Sequence, residues 1–105
     1  MTDKVLVLTT AGSEEEARKI ATELVERRLA ACVNIVPRIQ SVYRWEGKVE
    51  TAEEFLLIIK STKGRSADVQ AAIRELHSYE LPECIVISME NGSAEYLKWI
   101  EESVG

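Results

Sequence analysis

The 105-residue sequence predicts an α+β fold, with two helices on one face of an antiparallel sheet and a further helix at the C-terminal end. Three observations carry this prediction. Short β-rich runs alternate with capped amphipathic stretches in the order β-α-β-β-α-β-α. The two central runs are joined by a Glu46-Gly47 turn. No low-complexity linker or fixed-period repeat divides the chain, so residues 1–105 are expected to form one domain.

Lys4-Val-Leu-Val-Leu-Thr-Thr10 has the composition of a strand inside a sheet, and Ala11-Gly12 breaks it. Ser13 and Glu16 make a capping box, and Glu14 to Glu16 place negative charge where a helix dipole favours it. Ala17, Ile20, Ala21, Leu24 and Val25 then form one apolar stripe, closed by Arg27 and Arg28. Cys32 to Trp45 reads as a long extended segment. Pro37 marks an edge or a bulge in it, because proline donates no ladder hydrogen bond. Lys48 to Thr62 runs back as its partner. Ser66 is expected to cap a second helix with core positions Val69, Ala72, Ile73 and Leu76. Leu81-Pro82-Glu83 leads to a strand from Cys84 to Met89. Ser93 then caps a short helix carrying Tyr96, Leu97, Trp99 and Ile100, whose aromatic residues are expected to pack. The simplest architecture for this order is the ferredoxin-like split βαβ sandwich.

The lengths do not match. A first helix of about 16 residues covers roughly 24 Å, whereas a strand of about 14 residues spans roughly 45 Å. The helices of one chain therefore leave the far half of the hairpin uncovered. That half carries Val42, Tyr43 and Trp45, and an exposed strand of this kind invites aggregation unless another copy covers it. A closed symmetric oligomer resolves the problem.

The function classes narrow by exclusion. Eighteen acidic against 13 basic side chains leave a net charge of −5, which argues against a nucleic-acid partner. The longest apolar run, Phe55 to Ile59, is far short of a membrane span, and no basic n-region precedes an apolar stretch at the start. A cytoplasmic protein without membrane partners is expected. Cys32 and Cys84 belong to no C-x-x-C pattern and read as small buried hydrophobes. His77, the only histidine, reads first as a helix-end or packed side chain. The serines at helix starts are explained by capping, and no phosphate-binding glycine loop, nucleophile elbow or zinc-protease motif is present. No nucleophile–base pair is visible, so no enzymatic activity is expected.

Arg28-Leu-Ala-Ala-Cys-Val-Asn34 with Ile-Val-Pro37, followed by Ser41-Val-Tyr-Arg-Trp-Glu-Gly-Lys48, resembles the core signature of the CutA family of divalent-cation-tolerance proteins. Glu54 to Lys60, His77-Ser-Tyr79 with Pro82-Glu83, and Tyr96 to Trp99 resemble its remaining blocks in the same order. The resemblance implies a ferredoxin-like protomer and a homotrimer joined through the long hairpin, with Pro37, Val42, Tyr43 and Trp45 at the interface. It also implies binding of copper or another divalent cation, with Cys32, Glu54 and His77 as the matching candidate metal ligands. Thiolate, imidazole and carboxylate form a mixed donor set suited to copper. In a hairpin turning at Glu46-Gly47, Glu54 falls opposite Ile39 to Ser41, and Cys32 opposite Ser61 to Lys63. The two are then about eight strand residues, or roughly 26 Å, apart. One ion shared by all three candidates would therefore need donors from different subunits. The competing readings are a trimeric small-ligand sensor of the PII kind, with clefts between subunits, and a non-catalytic assembly platform.

Overall fold

The computed structural model describes residues 2–105. Strand β1 (Lys4–Ala11) leads through helix α1 (Glu14–Glu26) to strands β2 (Cys32–Trp45) and β3 (Lys48–Thr62). A 3₁₀ turn, Lys63–Arg65, enters helix α2 (Ser66–Leu76), and strand β4 (Ile85–Ser88) and helix α3 (Ala94–Ser103) complete the chain. The sheet is antiparallel in the order β2-β3-β1-β4. This is the ferredoxin-like arrangement expected from the element order.

Alternation along β1 builds the core. Val5, Val7, Thr9 and Ala11 are buried on one face with Leu57 and Ile59 of β3. The stripe of α1 (Ala17, Ile20, Leu24) and that of α2 (Val69, Ala72, Ile73) close over them. Helix α3 lies on the other face, buries Ile100, and reaches the sheet's polar positions through Lys4–Glu101 (2.7 Å) and Lys60–Tyr96 (3.2 Å). Tyr96 and Trp99 face each other with ring centroids 5.4 Å apart and remain partly exposed rather than entering the core. Two steps of a 3.6-residue stripe place a residue near a helix face but do not say whether another layer covers it.

The hairpin departs from regularity at two places. Trp45 pairs with Lys48 across Glu46 and Gly47, both with positive φ (50° and 80°), the geometry of a type I′ turn. At Pro37 the ladder shifts. Val36 pairs with Leu56 but Ile39 with Glu54, so Pro37 and Arg38 stand against Phe55 alone, and Arg38 takes φ 59°. This is a bulge in an edge strand, where a residue lacking an N–H costs least. The bulge consumes one residue of β2, so Cys32 falls opposite Lys60, one short of the expected Ser61 to Lys63.

The overhang is present. The molecule measures 44 × 25 × 22 Å, and Val42, Tyr43, Trp45 and Val49 are exposed on the distal hairpin. Ser66 does not cap α2. It is the first helical residue and donates its hydroxyl to the Lys63 carbonyl, because the 3₁₀ turn runs directly into the helix. Ser13 and Ser93 do cap, accepting from the N–H groups of Glu16 and Tyr96.

Candidate functional site

Helix α2 stops at Leu76, and His77 turns extended (φ −84°, ψ 144°), which swings its side chain back under the C-terminal end of β1. The ring is completely buried. Nε2 lies 2.6 Å from the Thr10 carbonyl oxygen, and Nδ1 lies 3.1 Å from the Tyr79 backbone nitrogen. A carbonyl only accepts and an N–H only donates. These partners therefore assign the neutral tautomer with its proton on Nε2. Both ring nitrogens are engaged by the backbone.

Three further side chains complete the cluster. Glu16 accepts the Ser78 N–H at 2.7 Å and stands 3.8 Å from His77 Nδ1. Burial pushes the Glu16 carboxyl up, but the Ser78 hydrogen bonds outweigh it and hold the group below the usual carboxylate range. Tyr79 packs on the imidazole with centroids 4.6 Å apart and donates its hydroxyl to Glu54 Oε2 at 2.7 Å. Burial, and then the Glu54 carboxylate, push the Tyr79 phenol well above its ordinary value. Gly12 makes room for this ring, since a Cβ there would lie 2.9 Å from the Tyr79 hydroxyl. Glu54 is 7% exposed and sits on β3 opposite Ile39, just beyond the bulge.

The structure thus brings Glu54 and the His77 segment together through Tyr79 and leaves Cys32 elsewhere. Cys32 pairs with Lys60, six β3 residues from Glu54, or about 20 Å along the strand. Its half-buried thiol lies near the Asn34 side chain, with Sγ 4.0 Å from Oδ1. Among the described residues no three His, Cys, Asp or Glu side chains gather as a metal cluster. Cys84 is also half-buried rather than fully in the core, and burial pushes its thiol up.

Glu16, Tyr79, Gly12 and the Thr10 carbonyl are the members that sequence reasoning missed. Glu16 fits a capping box, yet only the Ser13 half of the box forms, while the Glu16 carboxylate crosses to Ser78. The available signal was Tyr79 two residues from the lone histidine, which puts a second polar ring in the same turn.

The βαββαβ sandwich, the long bulged hairpin and the acidic cluster around a buried histidine define a ferredoxin-like protein with an overhanging β-ribbon. A family model described as CutA1 divalent ion tolerance protein matches residues 5–103, and the chain belongs to this family. It is 46% identical over 100 residues to the divalent-cation tolerance protein CutA of Thermus thermophilus, covering 95% of this chain and 97% of that one. The crystal structure of CutA from Xylella fastidiosa superposes with a TM-score of 0.97 at 38% identity, covering 99% of this chain and all of that one. The periplasmic divalent cation tolerance protein CutA from Archaeoglobus fulgidus superposes at 0.94 with 44% identity, covering 97% and 99% of the two chains. Among the described residues no helix is long and apolar enough to cross a membrane.

Proposed function

We propose that this chain acts as one domain in a homotrimeric, non-catalytic divalent-cation-tolerance protein that binds copper or another divalent cation at its subunit interfaces. The observation that carries the assembly is the uncovered distal hairpin, with Val42, Tyr43 and Trp45 exposed beyond the reach of the protomer's own helices. Pro37 stands at the bulge in the same edge strand. The opposite edge, β4, is also unpaired on its outer side and exposes Ile85, Val86 and Ile87. Two different apolar edges on one protomer suit a heterologous contact repeated around a closed ring.

For the cation, Cys32, Glu54 and His77 remain the proposed donors, and the separation of Cys32 from the other two within one protomer requires it to come from a neighbouring subunit. Glu54 is the best prepared of the three, being buried and without a basic partner among the described residues. His77 joins only by exchanging its hydrogen bond with Thr10 or Tyr79 for the ion. Unpaired cysteines favour a reducing compartment, which supports the cytoplasm for this chain. The hydroxyls of Ser13 and Ser93 are engaged as helix caps, which supports a role without catalysis.

Copper and zinc titrations of the wild type, Cys32→Ala, Glu54→Gln and His77→Ala test this reading. Weaker binding in Glu54→Gln and His77→Ala, with an unchanged assembly mass, is the expected result. Unaltered copper affinity in all three variants would remove the metal assignment and leave the family and fold standing.

A further inference from the structure

Two grooves meet beside the cluster. One, of about 470 Å³, has Glu54 among its lining residues, and the other, of about 200 Å³, runs past Trp45 and Glu80. They share Tyr43, Tyr79 and Leu81 and so form one trough between the hairpin and the segment after α2. Its charged side chains are Glu54, Glu80 and Glu83, and among the described residues no lysine, arginine or histidine lines it.

Glu54 sets the chemistry. Its carboxylate is almost fully buried, yet only Oε2 accepts a hydrogen bond, from Tyr79, and no cation pairs with it among the described residues. Its other oxygen, Oε1, is left open to a donor that enters the trough. Within one protomer a bare metal ion finds a single buried carboxylate here. Both His77 nitrogens are bonded to backbone, and Tyr43, Trp45, Tyr79 and Leu81 line the trough with aromatic and aliphatic carbon. An ammonium group is well served. It has three donors for Glu54 and for the oxygen-bearing residues Thr10, Gln40 and Ser41. The faces of Tyr43 and Tyr79 attract a diffuse cation and cover an alkyl chain.

We propose that this trough binds a protonated aliphatic amine, with its ammonium on Glu54 and its chain along Tyr43, Tyr79 and Leu81. Glu80 and Glu83 accept a second ammonium, so a diamine binds more tightly than a monoamine. Tyr43 and Trp45 also belong to the proposed subunit contact, so in the trimer a neighbouring copy closes the outer side of the trough. The inference goes beyond the metal reading but shares Glu54 with it, and Cys32 separates the two.

Calorimetric titration of the intact protein in chelator-treated buffer, with butylamine and butane-1,4-diamine hydrochlorides, tests it. Sodium butyrate and sodium chloride at matched ionic strength serve as controls. Saturable binding of both amines and none of butyrate is expected, with the diamine the tighter. Glu54→Gln should weaken both amines roughly tenfold or more, and Tyr43→Leu several-fold. Glu83→Gln should reduce only the advantage of the diamine. Cys32→Ser should leave amine binding unchanged whatever it does to copper. Heats that match the salt control, binding of butyrate as tight as that of butylamine, or full amine affinity in both Glu54→Gln and Tyr43→Leu would overturn the proposal. Absence of amine binding together with a fall in assembly mass in Tyr43→Leu would assign the trough to the neighbouring copy and overturn it equally.

Discussion

Replacing Tyr79 by phenylalanine removes one hydroxyl and leaves the ring in place against His77. The lost interaction is the 2.7 Å hydrogen bond to Glu54, whose carboxylate is buried. Hydrogen bonds to charged groups contribute about 1.5–3 kcal/mol. Tyr79 sits at the edge of the trough, so water replaces part of the lost donor, and a cost of about 1–2 kcal/mol is expected. Urea denaturation at a fixed protomer concentration measures it as a lower midpoint with unchanged slope. A double-mutant cycle with Glu54→Gln isolates the pair. The pH dependence gives an independent reading. The folded-state phenol titrates above its ordinary value of 10.0, so the folded protein keeps a proton that the unfolded chain loses first. This contribution to stability is complete below about pH 10 and drains away as pH rises toward the raised folded value. Tyr79→Phe should lack that alkaline loss. A stability change within about 0.3 kcal/mol, with additive behaviour in the cycle, would refute the coupling.

Other perturbations read the rest of the structure. Ser13→Ala should cost about 1 kcal/mol in the same denaturation experiment, since the hydroxyl accepts the Glu16 N–H at the start of α1. Ile20→Ala should cost about 2–5 kcal/mol, because Ile20 is fully buried between α1 and the sheet. The wild type should melt cooperatively above about 50 °C by calorimetry, with a midpoint that rises with protein concentration, as subunit contacts supplement a small core.

Local chemistry made much of the fold legible. Ser13 before an acidic turn, the apolar stripe from Ala17 to Leu24, and Glu46-Gly47 between two long β-rich runs are each fixed by contacts within a few residues. The hairpin overhang was legible for a different reason, since it follows from comparing rise per residue in helix and strand. The site was less so. Glu54 is separated from Tyr79 by 25 positions and Glu16 from Ser78 by 62, and neither pairing leaves a periodic trace. Cys32 and His77 stand out as residue types, but residue type does not report the bulge that sets the register of Cys32. Nor does it report the β1 carbonyl that occupies the His77 ring.

Sedimentation equilibrium of the dilute protein tests the assembly at the centre of this account most directly. Three protomers of 11.8 kDa in a single species is the predicted mass, unchanged in His77→Ala and lowered in a variant with charges at Val42 and Tyr43. A mass near one protomer in dilute buffer would contradict it. It would also remove the shared cation site, because Cys32 and Glu54 lie far apart within one chain.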